Sequence, residues 1–112
     1  MNTADRKQAI KDFKARKPHR GIYSVRCLRT GTVWTGASRD LRAARNSLWF
    51  GLNHGSCLDR ALQSEWDAQG EDAFEFSVLE ALKEDVHELS VRDLLKEKQL
   101  DWAARLGARR LL

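Results

Sequence analysis

The chain of 112 residues is long enough for one modest hydrophobic core, and its 42% hydrophobic and 32% charged residues exclude a disordered chain. No apolar run approaches the roughly 18 residues that span a bilayer, and the first residues are too polar for a secretory signal, so we expect no membrane contact. The net charge is +4, and two cysteines without metal-ligand spacing predict reduced thiols in a cytoplasmic protein.

The positive charge is concentrated in the N-terminal part of the chain. Residues 1–47 have a charge balance of +9, whereas residues 48–112 have a balance of −5. This segregation favours a basic face that contacts DNA or RNA, although a solvated surface also carries such charges. Residues 1–19 are predicted to form a basic helical arm that Pro18 ends, and the arm either packs on the domain or contacts phosphates.

A β-hairpin and a helix are predicted after the arm. Residues 21–28 and 33–37 are the two strands of the hairpin, with a turn around Gly31. From Ser38 to about Leu52, apolar residues recur at helical spacing, which predicts the helix. Arg39 and Arg42 project from the side of this helix opposite the apolar stripe, and Arg45 lies at the edge of that stripe.

The second half of the chain is predicted to contain two helices and one strand. The first of these helices covers about 56–70, and alternating apolar residues predict a strand over 73–80. The last helix begins near Asp85 or Ser90 and ends at Leu106. The order (α)ββααβα predicts an α+β fold, with a small three-stranded, mainly antiparallel sheet flanked by helices.

The hairpin carries a tripeptide on each strand. Gly21-Ile22-Tyr23 and Trp34-Thr35-Gly36 resemble the paired tripeptides after which the GIY-YIG endonuclease superfamily is named. The segments 62–80 and 94–108 are similar to later parts of the same family. The resemblance covers residues 20–108 and implies a nuclease domain there, followed by a C-terminal tail at 109–112.

The resemblance also implies catalytic roles. In this family, a first-strand tyrosine activates water, a second tyrosine and a helix arginine stabilise the phosphate, and a late-helix glutamate holds one divalent cation. Tyr23 keeps the first role, and Trp34 replaces the second tyrosine and retains only an indole N–H donor. Counting from Gly36 without a gap puts the family's arginine position at Ala44. A small loop shift would be needed to bring Arg45, or else Arg42, into that position.

The cation site departs most from the family. Gln99 occupies the glutamate position, and a neutral amide is a poorer ligand for Mg²⁺ or Mn²⁺ than a carboxylate. At about 100° per residue, Gln99 lies about 40° from Leu95 on the inner face, and Glu97, the alternative ligand, lies about 160° from Leu95 toward solvent. His54, in a loop with Asn53 and Gly55, is either a proton shuttle or a surface residue.

Three functions fit these patterns. The first is a metal-dependent phosphodiester endonuclease that acts on DNA or RNA and uses one Mg²⁺ or Mn²⁺ ion. The second is a nucleic-acid-binding module that keeps the fold and has lost catalysis, and the third is a protein-interaction domain that uses the acidic half. A protein partner would supply sequence specificity. The candidate phosphate contacts are Arg39, Arg42, Arg20 and Lys17.

Overall fold

The central sheet of this protein has four strands. The structure, a computed structural model, describes residues 19–83 and 85–111, so the predicted helical arm lies outside the described residues apart from His19. The sheet order is β3-β1-β2-β4. The strands are β1 (Gly21–Cys27), β2 (Val33–Ser38), β3 (Phe74–Ala81) and β4 (Arg109–Arg110). The predicted α+β fold with a mainly antiparallel sheet is confirmed, and the predicted number of three strands is corrected to four.

The fourth strand comes from the segment predicted to be a tail. β1 pairs antiparallel with both β2 and β3, whereas β4 pairs parallel with β2, with Trp34 opposite Arg109 and Thr35 opposite Arg110. The amide of Leu111 continues the pairing, because its nitrogen donates to the Thr35 carbonyl oxygen at 2.8 Å. Two residues are too few to show a strand period, and it is the otherwise open edge of β2 that orders them.

Three α-helices cover the sheet: α1 (Leu41–Asn53), α2 (Arg60–Gln69) and α3 (Glu88–Leu106). The first two begin later than predicted, because Asp40 and Asp59 are the residues whose carboxylates accept hydrogen bonds from the first turn. The third ends at Leu106, as predicted, and is capped by Gly107, which adopts a left-handed conformation with φ of 62°. None of these helices is both long and apolar enough to cross a membrane.

The helices lie on opposite faces of the sheet. Because side chains alternate along a strand, Tyr23, Val25 and Trp34 share the face that α1 and α2 cover, and Ile22 lies on the face that α3 covers. Leu52 and Leu62 are fully buried under the first face, and each such side chain contributes about 1.5–3 kcal/mol to folding. The hairpin face that carries Tyr23 and Trp34 is therefore largely covered, and only its end beside Tyr23 remains accessible.

Candidate functional site

Tyr23 lies across the glycine of the neighbouring strand. It is paired with Gly36 of β2, and a Cβ at Gly36 would overlap the Tyr23 ring at Cζ and at the hydroxyl. The opposite side of the ring stacks on Phe76, with 5.0 Å between ring centroids. The pairing of a tyrosine with a glycine across the two tripeptides is therefore a packing requirement, and it fixes where the Tyr23 hydroxyl emerges.

The Tyr23 hydroxyl end lines a cleft between β2 and α1. Two adjoining hollows of about 220 and 260 Å³ share Tyr23, Ser47 and Leu48, and together we call them the Tyr23 cleft. The other walls are the end of β2, the loop at 56–59 and Leu111. No arginine or lysine is among the described residues that line it.

Gln63 holds the loop wall of the cleft in place. This buried residue of α2 accepts a hydrogen bond from the Cys57 amide at 3.1 Å and donates one to the Leu52 carbonyl oxygen at 2.9 Å. It thereby ties the loop at 56–59 to the end of α1. A glutamine within an amphipathic helix has no signal of its own in the sequence, so this role was not predicted.

The groups in the cleft are mostly uncharged at neutral pH. Burial, and to a smaller degree the nearby Cys57 thiol, raise the pKa of Tyr23 to about 12. Burial also raises the pKa of Cys57 itself. Tyr23 is therefore a neutral phenol that can donate a hydrogen bond, and the role of general base would require a strong local cation that the described lining does not contain.

The structure does not bring Trp34 to the cleft. It is fully buried, and its ring lies 6.5 Å from Phe74 between centroids. Its Nε1 has no acceptor within the described residues, although the indole N–H was predicted to contact a phosphate. On this face of the hairpin, the pair Val25–Trp34 comes next after the pair Tyr23–Gly36. This position places Trp34 under the helices.

Ala44, the position to which the ungapped count assigns the family arginine, lines the cleft. Arg45, the predicted substitute, is exposed and lies over the Trp49 ring, with its Cζ 4.9 Å from the ring centroid. Trp49 in turn contacts Phe76 of β3. A shift of one residue turns a helical side chain by about 100°, so Arg45 leaves α1 away from the cleft.

Gln99 is part of the hydrogen-bond network that joins α3 to the sheet. Its Nε2 donates to the carbonyl oxygens of Thr35 at 2.7 Å and Leu111 at 3.1 Å. Glu97 is exposed, as the helical geometry predicted. The described residues contain no group of three His, Cys, Asp or Glu side chains that could hold a metal ion. Gln99 offers a neutral amide whose nitrogen is already bonded to the backbone, so it does not fit the role of a carboxylate ligand for Mg²⁺ or Mn²⁺.

His54 lies outside the cleft, at the C-terminal cap of α1. Its Nδ1 is 2.8 Å from the Phe50 carbonyl oxygen, and its ring stacks on the exposed Phe50 ring at 4.2 Å between centroids. It does not line the cleft. The structure thus places it at the surface and does not bring it to Tyr23.

The predicted phosphate-binding arginines form ion pairs within the protein. Arg20 is only 4% exposed and pairs with Glu88 at 3.2 Å, Arg39 pairs with the same carboxylate at 2.5 Å, and Arg42 lies 3.7 Å from Asp40. Lys17 lies outside the described residues. Seven other exposed arginines have no carboxylate partner in the described part of the chain: Arg26, Arg29, Arg45, Arg60, Arg92, Arg109 and Arg110.

Most of the residues that line the cleft were not predicted from the sequence. Ser47, Gly51 and Ala44 recur three or four residues apart, and this stripe of small residues is the one sequence signal that could have located a groove on α1. Arg109, Arg110 and Leu111 were missed because they were assigned to a tail. The pairing of β4 with β2 brings Arg109 and Leu111 to the cleft face, and Arg110, opposite Thr35, lies on the other face.

No family model and no curated protein matches this chain. Among solved structures, it is similar to the catalytic domain of the homing endonuclease I-TevI, with a TM-score of 0.69 and 23% identity over 83% of this chain and 98% of that chain. A mutant of the catalytic domain of the intron endonuclease I-TevI, with alanine in place of a glutamate, gives a TM-score of 0.67 and 24% identity over 80% and 84%.

This likeness shows the fold. The chain has the α+β fold of the I-TevI catalytic domain, which is a GIY-YIG domain, and the fold expected from the two tripeptides is confirmed. At this level of identity, the likeness leaves the chemistry to the residues of the site.

Proposed function

We propose that this protein is a nucleic-acid-binding module with a nuclease fold, in which the groups needed for phosphodiester cleavage have been replaced. The observation that carries the proposal is the bonding of Gln99. In the position where the family has a cation ligand, its amide nitrogen donates to the carbonyl oxygens of Thr35 and Leu111. Two carbonyl neighbours require a donor, so the residue serves the fold and not a cation.

The substitution at the arginine position supports the same proposal. Ala44 lines the cleft where the family has a guanidinium to stabilise the phosphate, and Arg45 lies over Trp49 instead. A pentacoordinate phosphate carries additional negative charge in the transition state, and the described cleft lining supplies neither a guanidinium nor an ammonium group to stabilise it.

Binding is supported by the fold and by the exposed arginines. The solved structures that resemble this chain are catalytic domains of an endonuclease. Arg60, Arg109 and Arg110 have no carboxylate partner in the described residues and are therefore available to phosphates of DNA or RNA. Cys27 and Cys57 are free thiols, which agrees with a cytoplasmic protein, and a protein partner would supply sequence specificity.

A metal-dependent endonuclease is the second candidate, and the observation that favours it is the position of Tyr23. Its hydroxyl end lines the cleft, as a first-strand catalytic tyrosine would. The remaining chemistry would then have to come from groups other than Trp34, Arg45 and Gln99, which the structure places away from the Tyr23 hydroxyl or in structural bonds.

Incubation with labelled single-stranded and duplex DNA and RNA separates the candidates. Binding is measured by fluorescence anisotropy, and cleavage by denaturing gel with Mg²⁺, with Mn²⁺ or with a chelator. We expect salt-sensitive binding and intact strands under all three conditions. Cleavage that needs the cation and is lost in Tyr23→Phe would establish the endonuclease instead, and failure to bind any strand would overturn both candidates.

A further inference from the structure

The lining of the Tyr23 cleft is uncharged apart from one carboxylate. Tyr23, Ser47 and Ser56 supply hydroxyl groups, and Leu48, Leu58 and Leu111 supply apolar surface. The carboxylate is that of Asp59, which already accepts a hydrogen bond from the Leu62 amide at 3.1 Å as the cap of α2. The described residues that line the cleft include no cationic side chain that could bind a phosphate. The lining suits a neutral, flat group with a polar edge.

The size of the cleft suits one heterocyclic base. The hollow beside Leu111 has a volume of about 220 Å³, equal to about seven water molecules at about 30 Å³ each. A nucleobase has apolar faces that pack on aliphatic and aromatic side chains, and an edge that pairs with hydroxyl groups. Serine and tyrosine hydroxyls can donate or accept, so they can pair with either kind of edge group.

Two exposed arginines are near neighbours, along the chain, of residues that line the cleft. Arg109 pairs with Trp34 where β4 runs parallel to β2. Leu111 comes two residues, or about 7 Å, after Arg109, so the two side chains lie on the same face of the sheet. Arg60 directly follows the lining residue Asp59. Neither arginine has a carboxylate partner in the described residues. A neutral interior with cations outside matches a nucleotide whose base enters and whose phosphates stay at the rim.

We propose that the Tyr23 cleft binds the base of an unpaired nucleotide, while Arg109 and Arg60 contact the adjoining phosphates. The inference rests on the proposed function and specifies its substrate as single-stranded nucleic acid. A base in a duplex would have to leave the stack at a cost of a few kcal/mol, so the protein binds single strands more tightly than duplexes of the same sequence.

The test compares two leucine substitutions on α1. Ser47 lines both hollows, and Ser47→Leu fills the cleft, since the residue is exposed and leucine suits a helix. Asn46→Leu is the matched control, because Asn46 is an exposed neighbour that does not line the cleft. The probes are a labelled mixed-sequence single strand, its duplex, and an abasic strand that keeps every phosphate.

We expect the wild-type protein to bind the intact single strand about tenfold more tightly than the abasic strand, the effect of stacking about one base. Ser47→Leu should lower the affinity for the intact strand to the abasic level, and Asn46→Leu should leave it unchanged. Equal affinity of the wild-type protein for intact and abasic strands, or full affinity in a folded Ser47→Leu protein, would overturn the inference while leaving nucleic-acid binding intact. Failure of the wild-type protein to bind any strand would remove the proposed function itself.

Discussion

The two faces of the sheet use their polar residues differently. On the α3 face, Gln99 is bonded to two carbonyl groups, and Glu80 accepts hydrogen bonds from Lys98 at 2.5 Å and from Trp102 at 2.9 Å. Hydrogen bonds from Lys98 and Trp102 hold the pKa of Glu80 below its ordinary value. On the cleft face, the side chains of Tyr23 and Ser47 have no hydrogen-bond partner within the described residues.

This difference indicates which polar groups of the protein remain available to a ligand. Polar groups already bonded to the backbone must lose those bonds before they can bind a ligand, whereas the hydroxyls of Tyr23 and Ser47 have no such bond within the described residues. The late helix, which holds the cation ligand in the family, here stabilises the fold. The tyrosine side keeps an open cavity, and ligand binding is therefore expected there.

The largest effect is expected for the substitution Gln99→Glu. If Gln99 serves the fold, the change removes two donated hydrogen bonds and places a carboxylate against two carbonyl oxygens, and the free energy of unfolding falls by about 2–4 kcal/mol. Thermal melts with and without Mg²⁺ or Mn²⁺ measure this loss, and Glu97→Gln, an exposed change on the same helix, is the control. Stabilisation of the Gln99→Glu protein by a cation would show that a carboxylate at position 99 binds metal, and it would contradict a purely structural role for this position.

On the cleft face, Gly36→Ala tests the packing of Tyr23. The added Cβ overlaps the phenol ring, so we expect a loss of about 1–3 kcal/mol in unfolding free energy and a displaced Tyr23. In a Tyr23→Ala background the same change should cost much less, which a double-mutant cycle of denaturant melts would detect. Additive effects in that cycle would mean that the ring does not rest on Gly36.

A smaller effect concerns the ionisation of Tyr23, the single tyrosine of the chain. Its pKa is raised to about 12 in the folded protein, compared with about 10 in an unfolded chain. The neutral phenol is therefore favoured by folding, so its contribution to stability is complete below about pH 10 and is lost as the pH rises toward 12. Phenolate absorbance should show half-ionisation near pH 12, and Tyr23→Phe should lack both the signal and this loss of stability. Half-ionisation near pH 10 in the folded protein would contradict the burial of the ring.

The fold could be predicted from local patterns, and the site could not. The two tripeptides, the alternation in 73–80 and the glycine at position 107 each act through neighbours in the chain, and they placed the strands and helix ends to within a few residues. The partner of Gln99 is 64 residues away at Thr35, and the cleft wall at Leu111 depends on a two-residue strand. Contacts of this kind leave no periodic signal in the sequence.

Charge pairing was the other property that the sequence could not reveal. The basic N-terminal half predicted phosphate contacts by Arg39 and Arg42, but Glu88, from 49 residues further along the chain, pairs with Arg39 and with Arg20. The balance of charges along a chain does not identify which arginines have carboxylate partners after folding. Arginines without a carboxylate partner in the described residues come from both halves of the chain: Arg26, Arg29, Arg45, Arg60, Arg92, Arg109 and Arg110.

The dependence of single-strand affinity on salt tests this account most directly. Each phosphate contact by an arginine contributes about 0.7 to the slope of log affinity against log salt for a single strand. We predict that replacing Arg60 and Arg109 together with glutamine reduces the slope by about 1.4, because these two arginines are the proposed phosphate contacts of the cleft. Replacing Arg39, Arg42 and Arg45 with glutamine should reduce it by less than about one. The opposite order would place the nucleic acid on α1, away from the Tyr23 cleft, and would contradict the account.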